Sequence, residues 1–189
     1  MNEQPSERIS VTRFVTSWGV IRAASTQKGL AILTLPGETD ESFRAVLDRI
    51  FPQRIEEQGG SLLAETERQL TAYLGGALTE FSLSLDVRGT AFQIQALAEV
   101  ARIPYGCTRT YGDVARAIGN PGAVRAVGSA NARNPIPLVI PCHRVVAENG
   151  LGGYAGGLAM KKRLLAMEGV RGRDNNPDLF DFDKHKGVR

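Results

Sequence analysis

Prolines at 135, 137 and 141 leave the stretch Asn134-Pro135-Ile136-Pro137-Leu138-Val139-Ile140-Pro141-Cys142-His143 few backbone choices, so Cys142 must be presented at a rigidly defined position. An apolar run that ends in Pro-Cys-His is a fitting place for an activated thiol. The competing assignment is an inert buried cysteine, the commonest fate of a free one. His143 argues for chemistry, because the other histidine, His185, lies in the C-terminal tail. Neighbouring side chains diverge on a strand or helix, so a bridging water, rather than direct contact, would link His143 to the sulfur. Cys107 lies in a turn without an adjacent histidine and reads as incidental.

The remaining composition removes several classes of function. Two cysteines cannot build a disulfide scaffold, and two histidines leave no Cys/His cluster with zinc spacing. No metal and no cofactor is expected. The polar, acidic start Met1–Glu7 lacks the chemistry of a signal peptide, and no run nears the roughly 18 apolar residues of a spanning helix. A reduced, cytoplasmic setting follows, without a membrane partner. Charge is unevenly distributed: residues 1–87 hold 8 Lys/Arg against 12 Asp/Glu, residues 88–172 hold 11 against 4, and residues 173–189 are balanced at 4 and 4. A basic second half suits a polyanionic partner, although a solvated face would look the same.

Residues 1–87 read as a scaffold of strands and helices. Val11–Ser17, Val20–Ser25 and Leu30–Leu35 are short β-rich runs separated by glycine-bearing turns, the pattern of an antiparallel meander. Phe43, Val46, Leu47 and Ile50 then recur at helical spacing behind Thr39 and Asp40 as candidate N-caps. A second helix is expected over about Leu62–Leu74, and the alternation in Phe81–Val87 predicts a half-buried strand.

Residues 88–172 read as mostly helical. Phe92, Ile94, Leu97, Val100, Ala101 and Ile103 supply the apolar face of a helix that Pro104 ends. Thr110-Tyr111-Gly112-Asp113 has capping-box spacing, and Val114, Ala115 and Ile118 continue a short helix to Gly119-Asn120-Pro121-Gly122. A further helix over 123–133 completes a helix-turn-helix pattern. That helix is built of small residues, with Val124 and Val127 as core candidates and arginines at 125 and 133. So slim a surface suits close approach to a minor groove with one projecting arginine. Five glycines between Gly150 and Gly157 form a loop that lacks the Lys-Ser/Thr of a phosphate loop. Leu158, Leu164 and Leu165 are core candidates of a last helix. At its C-terminal end Glu168 opposes the helix dipole, a cost that pairing to a histidine would offset. Residues 173–189 read as a flexible tail.

These motifs together resemble the O6-alkylguanine-DNA alkyltransferases, also called methylated-DNA–protein-cysteine methyltransferases. The resemblance rests on Ile140-Pro-Cys-His-Arg-Val, Gly152-Gly-Tyr-x-Gly-Gly and Leu164-Leu-x-x-Glu-Gly. It extends upstream to Gly89-Thr-x-Phe-Gln and Ile103-Pro-Tyr-Gly-x-Thr, and so spans about 88–170. A departure is Ala96-Leu97, where the family usually has Val-Trp, which implies only a repacked core. The zinc ligands that some relatives carry in the first domain are absent.

The resemblance implies an α+β fold: a small N-terminal antiparallel-sheet and helix domain (1–87) and a mostly helical, winged-helix-like C-terminal domain (88–172) with the helix-turn-helix. It implies DNA repair by stoichiometric, single-turnover transfer of an alkyl group from O6-alkylguanine in double-stranded DNA to Cys142. O4-alkylthymine is a further candidate substrate. Glu168 would orient His143 and favour its cation, and thereby a thiolate at Cys142. Tyr111 would give a proton to the departing base, and Asn134 would shape the turn behind the cysteine. Arg125 would be the finger that fills the gap left by an extruded nucleotide. Thr110, Ala126, Gly128, Ser129 and Arg133 would complete the DNA-binding surface on the minor-groove side. Tyr154, Gly152, Gly153, Ala155, Gly156 and Pro137 would line the substrate pocket. A monomer is expected. The main rival is a non-enzymatic helix-turn-helix protein that binds DNA or senses lesions. A cysteine hydrolase fits less well, since its histidine would face the thiol across a cleft.

Overall fold

A computed structural model describes residues 7–170 of the 189-residue chain. The tail expected over 173–189 lies outside the described residues. The described residues divide into two compact units, one made of residues 7–90 with 135–139, the other of residues 91–134 with 140–170.

The first unit holds β1 (Glu7–Thr16), β2 (Gly19–Ser25), β3 (Leu30–Leu33), α1 (Asp40–Ile50), β4 (Arg54–Gln58) and α2 (Ser61–Leu74). The sheet order is β3-β2-β1-β4. The first three strands form the expected antiparallel meander, and β4 joins β1 in parallel. Ser17 and Trp18 make the tight turn between β1 and β2, where the Thr16 hydroxyl donates to the Gly19 carbonyl and accepts from the Trp18 N–H. The Thr39 side chain caps α1 by accepting from the Ser42 N–H. Ile9, Val11, Ala24, Ala31, Ile32, Phe43, Leu47 and Phe51 pack together as the core, which fixes α1 to the sheet.

One reading of this unit needs correction and one element went unread. Arg54-Ile-Glu-Glu-Gln, on which the sequence pattern offered no reading, is β4. It is tolerated as an edge strand and carries ion pairs from Arg8 to Glu57 and from Arg44 to Glu56. Phe81–Val87 forms no ladder. It meets β3 at one bridge, Leu30 with Leu85, through Leu30 N–H to Ser84 O and Asp86 N–H to Leu30 O. The unit also runs past Val87, because Arg88 pairs with Glu7 and Asp86 and lies 4.4 Å over the Phe51 ring.

The second unit holds α3 (Ala91–Ala101), β5 (Arg109–Thr110), α4 (Tyr111–Ala117), α5 (Val124–Ala132), a 3-10 turn (Cys142–Arg144), β6 (Val145–Val146) and α6 (Gly157–Met167). Ala96 and Leu97, the departure from the family pattern, are both buried in its core. Ile94, Val124 and Leu158, expected inside, are exposed instead, because each lies off the buried stripe of its helix. The capping box at α4 is present: Thr110 accepts from the Asp113 N–H, and Asp113 accepts from the Thr110 N–H. The Thr110 hydroxyl also donates to Asp113 and its residue is 2% exposed, so the side chain is a buried cap and not part of an open DNA-binding face. The short parallel pair β5–β6 was not legible from two-residue strands. It ties the start of α4 to the chain that leaves the Cys142 turn.

Candidate active site

Cys142 opens the 3-10 turn behind Pro141 and is buried, with its side chain on the wall of a cavity of about 230 Å³. The same wall includes Tyr111, Gly128, Asn131, Ala132, Gly153, Tyr154 and Ala155. Of the pocket residues named from sequence, Gly153, Tyr154 and Ala155 therefore line it. Gly152 packs against Tyr111 behind the wall, Gly156 stands at the start of α6, and Pro137 belongs to the segment grouped with the first unit.

The Asn134 amide holds the sulfur, donating both to the Ile140 carbonyl at 2.8 Å and to Cys142 Sγ at 3.2 Å. Burial pushes the thiol's pKa up, and the Asn134 bond and the Lys161 charge only partly offset this. His143, fully buried, meets Glu168 with Nε2 2.8 Å from Oε1. A carboxylate there fixes the ring proton on Nε2 and leaves Nδ1 as the basic nitrogen. Burial nevertheless pushes the His143 pKa down, with Glu168 opposing it. Burial thus works against the imidazolium and thiolate expected from sequence, while Glu168 favours the cation at His143 and Asn134 and Lys161 favour the thiolate at Cys142.

Glu168 is also gripped by residues that sequence reading missed. Arg144 donates to it from Nε and Nη2, each at 2.9 Å, and the Gly106 N–H donates at 3.2 Å. Arg144 Nη1 in turn donates to the Ile103 carbonyl at 2.6 Å. This cradle offsets the unfavourable position of a carboxylate at the end of α6. Lys161 is buried too, and its ammonium donates to the carbonyls of Val145, Leu151 and Gly153. Burial lowers its pKa to about 8. It anchors the glycine loop on which Tyr154 stands. Tyr111 donates from its hydroxyl to the Gly153 carbonyl at 3.3 Å, and burial raises its pKa, so it rests protonated.

The exposed side of α5 carries Arg125, Ala126, Ser129 and Arg133, with Gly128 half-buried beside the cavity. Elsewhere in the unit Arg102 and Arg109 pair with Glu99, Arg116 pairs with Asp113, and Arg144 and Lys161 are buried. Arg125 and Arg133 have no acidic partner among the described residues. Among those residues no group of three His, Cys, Asp or Glu could hold a metal, and no helix is long and apolar enough to cross a membrane.

A buried thiol beside a Glu-His pair, on a cavity roofed by a slim basic helix, defines a cysteine-centred protein of mixed α and β structure. The family model described as 6-O-methylguanine DNA methyltransferase, DNA binding domain, matches residues 91–170. The chain is 43% identical over 153 residues to the methylated-DNA--protein-cysteine methyltransferase of Mycolicibacterium paratuberculosis, covering 79% of this chain and 93% of that one. The crystal structure of the O6-methylguanine methyltransferase of Mycobacterium tuberculosis superposes with a TM-score of 0.71 at 38% identity, covering 85% of this chain and 92% of the other. A structure of Mycobacterium tuberculosis OGT in complex with DNA gives the same TM-score at 36% identity and the same coverage. The chain belongs to the methylated-DNA--protein-cysteine methyltransferase family.

Proposed function

We propose that Cys142 is the alkyl acceptor of a DNA-repair methyltransferase that removes the alkyl group of O6-alkylguanine from duplex DNA and is consumed in doing so. The carrying observation is the sulfur itself, held by Asn134 on the cavity wall with the His143–Glu168 pair buried behind it. The alkylated oxygen is inaccessible in a stacked duplex, so the nucleotide must turn out into that cavity.

The thiol proton passes to His143 Nδ1 through a bridging water, and Glu168 stabilises the imidazolium that results. The sulfur forms a bond to the alkyl carbon as the carbon–O6 bond breaks, its electron pair staying with the guanine. Tyr111 protonates the guanine ring and regains its proton from the imidazolium through solvent. The products are guanine and S-alkylcysteine. A thioether offers no easy leaving group, which accounts for a single turnover.

The α4–α5 pair serves as the helix-turn-helix, with α5 laid against the minor groove as its small residues allow. Arg125 fills the space of the extruded nucleotide, and Arg133 and Ser129 contact the backbone. The first unit acts as a scaffold, the protein works as a monomer, and a reducing cytoplasm keeps Cys142 a free thiol.

Mass spectrometry after incubation with a duplex containing O6-methylguanine tests the assignment. One methyl group is expected on the Cys142 peptide, and Cys142→Ala should bind DNA without accepting label. Label on Cys107, or on the Cys142→Ala protein, overturns it. DNA binding with no label at all would favour a lesion-sensing, non-enzymatic protein.

A further inference from the structure

Val124, expected in the core beside Val127, is 41% exposed, whereas Val127 is fully buried. A lone exposed valine is ordinary, and it is the place of this one that sets it apart. Residues 124, 128 and 132 are four apart and so run along one side of α5, and Gly128 and Ala132 lie on the cavity wall with Cys142. Val124 thus stands one turn before Gly128, about 6 Å along the helix axis, at the outer end of the line that leads into the cavity. Arg125 follows it directly, and the nearby exposed residues Ala126 and Ser129 are small. Arg125 and Arg133, both exposed, flank this surface with the charge that complements a duplex.

We infer that Val124 is a specificity-determining residue of the DNA surface, which presses on the minor-groove floor beside the extruded nucleotide and favours A·T over G·C pairs next to the lesion. This rests on α5 lying against the minor groove, as proposed above. In that groove a G·C pair differs from an A·T pair by the 2-amino donor of guanine. The remaining acceptors on the groove floor are common to both pairs, so the amino group carries the difference. Water meets that donor in free DNA. An isopropyl group pressed on the floor displaces the water and accepts no hydrogen bond, so a guanine beside it keeps an unmet donor. Adenine presents only a C–H at the same position and loses nothing.

The test is the single-turnover rate at subsaturating protein on duplexes whose O6-methylguanine is flanked on both sides by A·T, by G·C or by hypoxanthine·C pairs. The last are G·C pairs without the 2-amino group. The wild type is compared with Val124→Thr, which keeps the shape and adds a hydroxyl acceptor. An exposed position tolerates this change with little effect on folding. The wild type should repair the G·C-flanked lesion about tenfold more slowly than the other two, the scale of one hydrogen bond. Val124→Thr should lose most of that difference. Flanking pairs also differ in how readily they release a nucleotide, but that contribution is common to both proteins and cancels in the cycle. Equal context dependence in the two proteins overturns the inference, and so does a wild type indifferent to the flanking pairs, a result that needs no variant. If hypoxanthine·C behaves as G·C does, the pairs are read from the major-groove edge, and the placement of α5 falls together with the inference. A wild type in which Cys142 takes up no methyl group would remove the acceptor assignment itself, and the inference with it.

Discussion

Gly152 passes so close to the ring of Tyr111 that a Cβ there would stand 2.8 Å from Cε2 and 3.1 Å from the hydroxyl oxygen. Its φ of +67° is one that other residues adopt only with strain. The glycine loop therefore sets the position of the tyrosine proposed as proton donor, and Lys161 holds that loop from below through the Leu151 and Gly153 carbonyls.

Gly152→Ala should displace Tyr111 and slow methyl transfer on the order of 10²-fold, the scale of a misplaced catalytic group. Tyr111→Phe should be slow by a similar factor, since a positioned acid is worth about 10²-fold or more. The double variant should be little worse than either single one. Single-turnover rates on an O6-methylguanine duplex decide this, and additive losses would show that Gly152 acts apart from Tyr111.

Glu168→Gln should destabilise the second unit by about 3–5 kcal/mol, because it leaves Arg144 charged, buried and without its anion. Replacing Arg144 as well, as Arg144→Met with Glu168→Gln, should recover part of the loss. Urea denaturation of the three variants measures it. A Glu168→Gln protein as stable as the wild type would contradict the cradle described above.

These two buried ions show how far the sequence could be read. Lys161, Leu164, Leu165 and Glu168 stand at spacings of three, four and seven on α6, so helical phase alone places the lysine inside with the leucines. Its neighbours Lys162 and Arg163 masked that phase by making the stretch look like a solvated cationic run. Asn131 was hidden in the same way on α5, among small residues that draw attention to the exposed face. Cys142, His143 and Glu168 were legible because the motif around each is local, whereas Tyr111 was singled out through the family resemblance alone. The Arg144–Ile103 and Gly106–Glu168 bonds were not, since they join residues 41 and 62 positions apart. β4 went unread because Arg54-Ile-Glu-Glu-Gln, an edge strand with three charged residues in five, lacks the apolar alternation that marks a half-buried strand.

The rate of methyl transfer should respond to pH in two limbs. Burial lowers the His143 pKa below 6.5 and raises that of Cys142 above 9.0. Below the depressed imidazole value His143 is already protonated and cannot accept the thiol proton, so the rate falls in acid. It should be flat through neutrality and climb again as the thiolate forms directly in alkali. His143→Gln should lose the plateau and track hydroxide throughout. Stability carries the matching sign: the unfolded chain binds a proton near pH 6.5 that the folded one refuses, so stability declines as pH falls below that value. A neutral plateau surviving in His143→Gln would refute His143 as the base.

The last prediction separates the two arginines of α5. Arg125 lies in the first turn and Arg133 is the residue that caps the helix, eight positions on, about 80° beyond two full turns. Only one of them can readily enter a gap in the base stack. Both are exposed and neither has an acidic partner among the described residues, so each should contribute about one to the slope of log affinity against log salt on undamaged duplex. Repair should tell them apart. Unstacking costs a few kcal/mol, and without a side chain in the gap the extruded nucleotide falls back. Arg125→Ala should therefore slow repair of duplex O6-methylguanine far more than reaction with free O6-benzylguanine, which needs no extrusion. Arg133→Ala should weaken binding and slow repair only as far as binding demands, with no split at saturating DNA. Single-turnover rates of both variants on both substrates make the comparison. Equal losses for Arg125→Ala on duplex and free base would withdraw the finger from Arg125 while leaving Cys142 as the acceptor, because the free-base reaction depends on the cavity alone.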